Sequence, residues 1–307
     1  MNKSKTILHS IVQVLAMAII FSVLIFSRKS NLSLDWIAET VAIFSIILVS
    51  ALSITISSSR FFNRNPSTLV VSLLGFPGSG KTVYLTVLFN EILINSQNHY
   101  NIYGSETVDR ISEDYRILQN GYWLPPTPIE GAFYYRATTP KYKIEICDYA
   151  GEFFKNELKE NLNFIHRTKY FKYVINSDIV FLAIDLEKVV NDDFEYINDI
   201  ESSFISALHV LHEERNINIK GKMKFPVALL FLKTDCMTDN DMSEGKVLRI
   251  FNRLITYCEN HCKFFECFFV ASLSTRELSN KVPPKDIEPY NVIEPLQWSI
   301  AKVKRLF

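Results

Sequence analysis

The chain has 307 residues, its 33 Lys and Arg balance 33 Asp and Glu, and 48% of it is hydrophobic. That length exceeds one average domain, and so large an apolar fraction excludes a disordered or low-complexity chain. Six of the cations but only two of the carboxylates lie in residues 1–66, which leaves 27 against 31 for the remainder. A slightly acidic body without a basic tract argues against nucleic acid as a partner.

The first elements are apolar. Residues 6–26 contain only His9 and Gln13 as strongly polar members, and a helix of that length spans about 31 Å, the thickness of a bilayer core. Residues 36–56 form a second such run, with Glu39 its only charge and Trp36 placed for the interface. Lys3 and Lys5 could begin a signal peptide, but bulky residues stand where a cleavage site would be and a second span follows directly. Residues 1–58 therefore read as a two-helix transmembrane hairpin. Lys3, Lys5, Arg60 and Arg64 flank it, against Arg28 and Lys29 in the connecting loop, so the positive-inside rule places both termini in the cytoplasm. Residues 59–66 are a short juxtamembrane linker, and 67–307 are the soluble domain.

That domain opens on a strand at 68–74, the loop GFPGSGKT at 75–82, and a helix continuing to 94. The loop is a complete G-x-x-x-x-G-K-[ST] motif in the strand–loop–helix setting it needs. Gly75, Pro77, Gly78, Ser79, Gly80, Lys81, Thr82 and Val83 are the expected phosphate cradle, because small residues let the backbone close around a polyphosphate at a helix N-terminus. Lys81 would neutralise the β and γ phosphates, and the Thr82 hydroxyl would ligate Mg²⁺.

A polar region, 96–128, follows, with a helix expected at 107–119 and the loop WLPPTP after it. Strands at 132–138 and 142–148 form a hairpin. Helices are expected at 154–166, 194–212, 244–259 and 292–306, and strands at 179–184, 226–232 and 264–271. This alternation predicts an α/β domain with a mostly parallel sheet and helices on both faces.

Three further motifs stand at strand ends. In Asp148-Tyr149-Ala150-Gly151 the carboxylate can hold Mg²⁺ through water while the Gly151 N–H meets the γ-phosphate. Loss of that phosphate would release the loop. Leu232-Lys233-Thr234-Asp235 stands where N-K-x-D would let Asp235 accept from guanine N1 and N2 and the Lys233 stem cover the base; leucine replaces the asparagine. Ala271-Ser272 stands where a backbone N–H would meet guanine O6.

GFPGSGKT, DYAG, LKTD and AS, in this order, resemble the TRAFAC-type P-loop GTPases from residue 67 to the C-terminus. GKTVYL with DYAGE is similar to the bacterial double-GTPase group, often linked with conflict or defence gene neighbourhoods. A membrane tether before a small GTPase resembles the β subunit of the signal recognition particle receptor. The resemblance implies a Ras-like fold, GTP or GDP with Mg²⁺, a slow GTPase switch at the cytoplasmic face of a membrane, and an effector protein met there. The subgroup implies a bacterial inner membrane. Against these stand a non-catalytic nucleotide-binding receptor or scaffold and an ATP-binding enzyme. Glu152 occupies the position of the Ras-like glutamine; it could orient or activate water, or repel the γ-phosphate. Lys81 and Glu152 are thus the catalytic candidates. Thr82, Asp148 and Thr127 are the metal candidates, Thr127 serving as the switch-one threonine with Thr138 and Thr139 as alternatives. Arg136 and Arg167 are possible arginine fingers.

Five cysteines, an odd number, suggest free thiols. Cys258, His261, Cys262 and Cys267 match no common zinc spacing, and Cys258 with Cys262 is expected to pack inside. His209 and His212, three apart on an expected helix, are expected to be solvated or core residues.

Overall fold

The computed structural model describes residues 67–94, 100–128, 132–151, 154, 169–216, 221–237, 242–274 and 282–303. The chain divides into two units, Met1–Asn65 and Pro66–Phe307, and every described residue belongs to the second. Among the described residues no helix is long and apolar enough to cross a membrane; the expected spans at 6–26 and 36–56 lie outside them.

Seven strands form one sheet: β1 (Ser67–Leu74), β2 (Asn101–Ile102), β3 (Phe133–Thr138), β4 (Tyr142–Asp148), β5 (Ile179–Asp185), β6 (Met223–Leu232) and β7 (Cys262–Val270). Their order is β2-β3-β4-β1-β5-β6-β7. From β4 to β7 neighbouring strands run parallel, while β3 returns antiparallel on β4 and β2 on β3. The central strands bury both faces, so they read as unbroken apolar runs whose alternate residues feed two cores. Leu69, Val71, Leu73, Ile179, Phe181, Ala183, Ala228 and Leu230 belong to one core. Leu74, Val180, Leu182, Ile184, Val227, Leu229 and Phe231 belong to the other.

Helices cover both faces. On the first lie α1 (Lys81–Ile94), α2 (Ser105–Gln119) and, from the C-terminus, α8 (Glu294–Val303). On the second lie α3 (Lys169–Ile175), α5 (Phe194–Asn216), α6 (Glu244–Ile250) and α7 (Asn252–His261). A short α4 (Leu186–Val190) follows β5 without a break. Helix α1 has no single apolar stripe, because Tyr84, Leu85, Val87, Leu88 and Phe89 are all buried around it. The Tyr84 hydroxyl donates to the Val292 carbonyl at 3.2 Å and ties α1 to the approach of α8.

Two local departures from the sequence expectation have identifiable causes. The helix expected at 244–259 is broken at Phe251 (φ −94, ψ 19), whose fully buried ring packs against Phe231 at 5.7 Å. Strand β6 begins earlier than expected and shifts register between Met223 and Pro226, since proline has no N–H to give the ladder. The expected helix at 154–166 falls almost wholly outside the described residues. Cys258 and Cys262 are buried in the second core.

The topology fixes where a ligand can sit. Strand β1 has β4 on one side and β5 on the other, so the loops leaving these strands diverge at their carboxyl ends and open a crevice there.

Candidate nucleotide site

A cleft of about 530 Å³ lies at that switch point, lined by residues 77–83 of the glycine loop, 123–127, 149–151, and the ends of β5, β6 and β7. The glycine loop forms its floor. Gly80 adopts φ 86, a left-handed conformation that a side chain resists, and this turn brings the loop into the first turn of α1, where Tyr84 N–H donates to Gly80 O at 2.9 Å. Pro77 has no N–H and cannot contribute a donor to the cradle. Lys81 is buried, its ammonium donating to the carbonyls of Gly75 at 2.8 Å and Phe76 at 3.0 Å, with Ser79 Oγ at 3.4 Å. Gly75 stands behind the loop, where a Cβ would meet the Ala183 carbonyl oxygen at 2.8 Å.

Three oxygen-bearing side chains meet beside Lys81. Thr82 Oγ1 lies 2.9 Å from Thr127 Oγ1 and donates to Asp148 Oδ2 at 3.0 Å; Thr127 Oγ1 reaches the same carboxylate oxygen at 3.2 Å. The other carboxylate oxygen, Asp148 Oδ1, is buried and has no hydrogen-bond partner among the described residues. Burial pushes the Asp148 carboxyl above its ordinary range, opposed by the Lys81 ammonium and the two threonine hydroxyls. A hard-oxygen triad with an orphaned buried carboxylate oxygen fits a magnesium ion in its donor chemistry.

The D-x-x-G segment is pressed onto the glycine loop. A Cβ on Gly151 would come within 2.4 Å of Pro77 N and 2.6 Å of Phe76 C, so only glycine permits this approach. Tyr149 turns away from Asp148 into an aromatic cluster, 4.5 Å from Tyr170 and 5.7 Å from Tyr173 between ring centroids. Glu152 lies outside the described residues, as does Arg167.

Lys233, Asp235 and Ser272 line the far end of the cleft, with Leu232, Cys236 and Leu273. Lys233 has φ 64, and its ammonium donates to Asp185 Oδ2 at 2.8 Å and Glu187 Oε2 at 3.0 Å. Burial would lower its pKa, but the two carboxylates outweigh that and raise it. Asp235 is buried, and desolvation lifts its carboxyl to about 6. Leu232 brings apolar surface where an asparagine would offer an amide.

Three candidates are placed elsewhere. Thr138 and Thr139 close the β3–β4 turn, with Tyr142 N–H donating to Thr139 Oγ1 at 2.9 Å. Because Thr138 pairs with Lys143 and Phe133 with Asp148, the turn is a full strand length from the Thr82–Thr127–Asp148 triad, roughly 17 Å. Arg136 is held on the sheet by Glu145 at 3.1 Å and does not line the cleft.

Sequence reasoning missed one wall entirely. Glu187, Val190 and Asn191, from α4 and its end, line the cleft, as do Trp123 through Pro126. The available signal was Asp185, which ends the apolar strand IVFLAID just as Asp148 ends YKIEICD.

No protein-family model matches the sequence, and no curated protein matches it. Among solved structures it is similar to the crystal structure of nucleolar GTP-binding protein 1 from Plasmodium falciparum, at 13% identity over 79% of this chain and 90% of that chain, with a TM-score of 0.39.

Proposed function

We propose that this chain is a magnesium-dependent guanine-nucleotide-binding protein, a slow GTPase switch held at the cytoplasmic face of a membrane by its N-terminal hairpin. The observation that carries the nucleotide reading is the meeting of Thr82, Thr127 and Asp148 within 3.2 Å beside Lys81, with one Asp148 oxygen unpartnered among the described residues. Thr82 and Thr127 would hold the ion through their hydroxyls and Asp148 through water. A magnesium ion there would neutralise phosphate charge. Lys81, now on backbone carbonyls, is positioned to exchange them for phosphate oxygens, and residues 78–83 supply the surrounding cradle.

Slow turnover is supported by the cations available. Among the described residues lining the cleft they are Lys81 and Lys233, without an arginine, and Lys233 is held by carboxylates. Lack of one cationic partner costs about 10³ to 10⁵ in phosphoryl-transfer rate, so a partner protein would be needed for rapid hydrolysis. Guanine preference is supported by Asp235, a buried acceptor at the far end. The hairpin supports the membrane location through its sequence, and the subgroup resemblance supports a bacterial inner membrane and a conflict or defence role.

The deciding measurement is calorimetric titration of the detergent-solubilised full chain with GTP, GDP and ATP, with magnesium or with EDTA. Guanine-selective, magnesium-dependent binding is expected. Absence of nucleotide binding at millimolar concentration overturns the reading, and tight GTP binding without turnover makes the protein a receptor instead of an enzyme.

A further inference from the structure

Charge is divided along the direction of the strands. Among the described residues, the starts of β4, β5, β6 and β7 and the positions just before them carry Lys141, Lys143, Lys222, Lys224 and Lys263 against Asp178 and Glu259. The opposite rim, where these strands end at the cleft, carries Asp148, Asp185, Glu187 and Asp235 against Lys81 and Lys233. The two rims therefore differ in sign.

Strand register sets the five lysines in a row. Lys143 pairs with Thr68 near the start of β1, and Met223, between Lys222 and Lys224, pairs with Cys262, beside Lys263. In the order β4-β1-β5-β6-β7 the row is about 19 Å wide. All five side chains are exposed, and the groups that hold them are neutral: Lys143 lies over the Tyr103 ring at 5.7 Å, Lys263 over the Phe264 ring at 5.2 Å, and Lys222 donates to the Glu259 backbone carbonyl. Asp178 is turned instead onto the Val70 N–H, at 2.9 Å. None of the five forms an ion pair among the described residues, so their charge stays uncompensated.

Apolar surface lies at the same rim. Helix α1 leaves the glycine loop at the cleft and runs back about 21 Å toward the strand starts, where Leu93 and Ile94 are 45% and 68% exposed. The chain also enters the domain here, since residues 59–66 lead into β1 at Ser67. An anionic bilayer answers both features: its surface potential attracts the lysines, and its headgroup boundary accepts aliphatic side chains. A nucleic-acid backbone would use the charges and leave the aliphatic pair in water.

We propose that the rim of strand starts is a lipid-facing surface, seated on anionic phospholipid headgroups with the nucleotide cleft turned away. The inference builds on the membrane reading above. Repulsion between the same lipids and the carboxylates of the cleft rim reinforces this orientation, which leaves the cleft open to a partner protein.

The test uses the full chain in lipid nanodiscs, treated with a water-soluble amine-acetylating reagent and read by peptide mass spectrometry. On discs with about a third phosphatidylglycerol, Lys141, Lys143, Lys222, Lys224 and Lys263 are expected to react about fivefold more slowly than on pure phosphatidylcholine, and about 0.5 M salt should erase the difference. Lys188 and Lys246, which follow the carboxyl ends of β5 and β6, should react equally on both. The triple variant Lys222→Glu, Lys224→Glu, Lys263→Glu should restore the reactivity of Lys141 and Lys143 on anionic discs. Equal labelling of the wild-type row on the two lipid compositions overturns the proposal. Protection that appears in native membrane vesicles but not on anionic lipid alone also overturns it, and assigns the rim to an acidic protein. A chain that alkaline carbonate washes off phosphatidylcholine bilayers overturns the hairpin reading instead.

Discussion

On the proposed reading, the phosphate end of the cleft comes from consecutive residues, Pro77 to Val83, whereas the nucleoside end is collected from Glu187, Asn191, Lys233, Asp235 and Ser272 on three separate strand ends. A polyphosphate can be held largely by backbone N–H groups and one lysine, which a contiguous stretch can supply. A base must be read by side chains on several sides, and only the parallel order β1-β5-β6-β7 brings these together. The first end is therefore blind to the base, and the second should govern which nucleotide binds.

The largest expected effect tests the blind end. Lys81→Ala should weaken GTP and ATP alike by about 100-fold, read by calorimetry, since a buried charge-assisted partner is lost. A selective loss for GTP alone would break the comparison. Next, Asp235→Asn should weaken GTP by roughly 30-fold while improving binding of xanthosine triphosphate and leaving ATP little changed. Equal loss for all three would make Asp235 a structural residue.

A pH series sharpens the same contrast. With its carboxyl held up to about 6 by burial, and with Asp185 and Glu187 raising and Lys233 lowering it, Asp235 should lose its acceptor charge as pH falls through that value. GTP affinity should then be level above pH 7 and fall about tenfold between pH 7 and 5. Stability moves the other way: a carboxyl that keeps its proton longer when folded contributes most below its unfolded value and loses that contribution as pH rises through 6. Asp235→Asn should accordingly raise the stability of the ligand-free protein at pH 7 by about 1–3 kcal/mol, read by denaturant unfolding. The smallest effect is expected for Thr127→Val, about fivefold on magnesium-triphosphate affinity with diphosphate unaffected.

What could be read from the sequence follows the same division. Five of the seven strands and the glycine loop were legible because buried parallel strands are apolar runs, and β3 was legible as the first arm of a hairpin with β4. Strand β2 was not, since two residues carry no period, and α4 was not, because Leu186–Val190 reads as a continuation of the strand before it. Thr127 could be singled out by its place in a loop, and its hydroxyl lies against Thr82 and Asp148. Arg136 could not be judged without register, which pairs it with Glu145. Asp185 and Glu187 were missed because their partner, Lys233, is 48 and 46 residues away in sequence.

Thr127 shares its loop with Trp123, and Pro125 and Pro126 stand between them. Prolines fix φ and stiffen the residue before them, so a displacement of the threonine hydroxyl should carry the indole along. That indole is half-exposed at the mouth of the cleft, whereas Trp298 packs edge-on against Phe268 at 5.7 Å. With Trp36 replaced by phenylalanine, the protein would hold one tryptophan that senses occupancy and one that serves as an internal standard. Loading and unloading could then be followed by intrinsic emission in real time, without a label on either molecule.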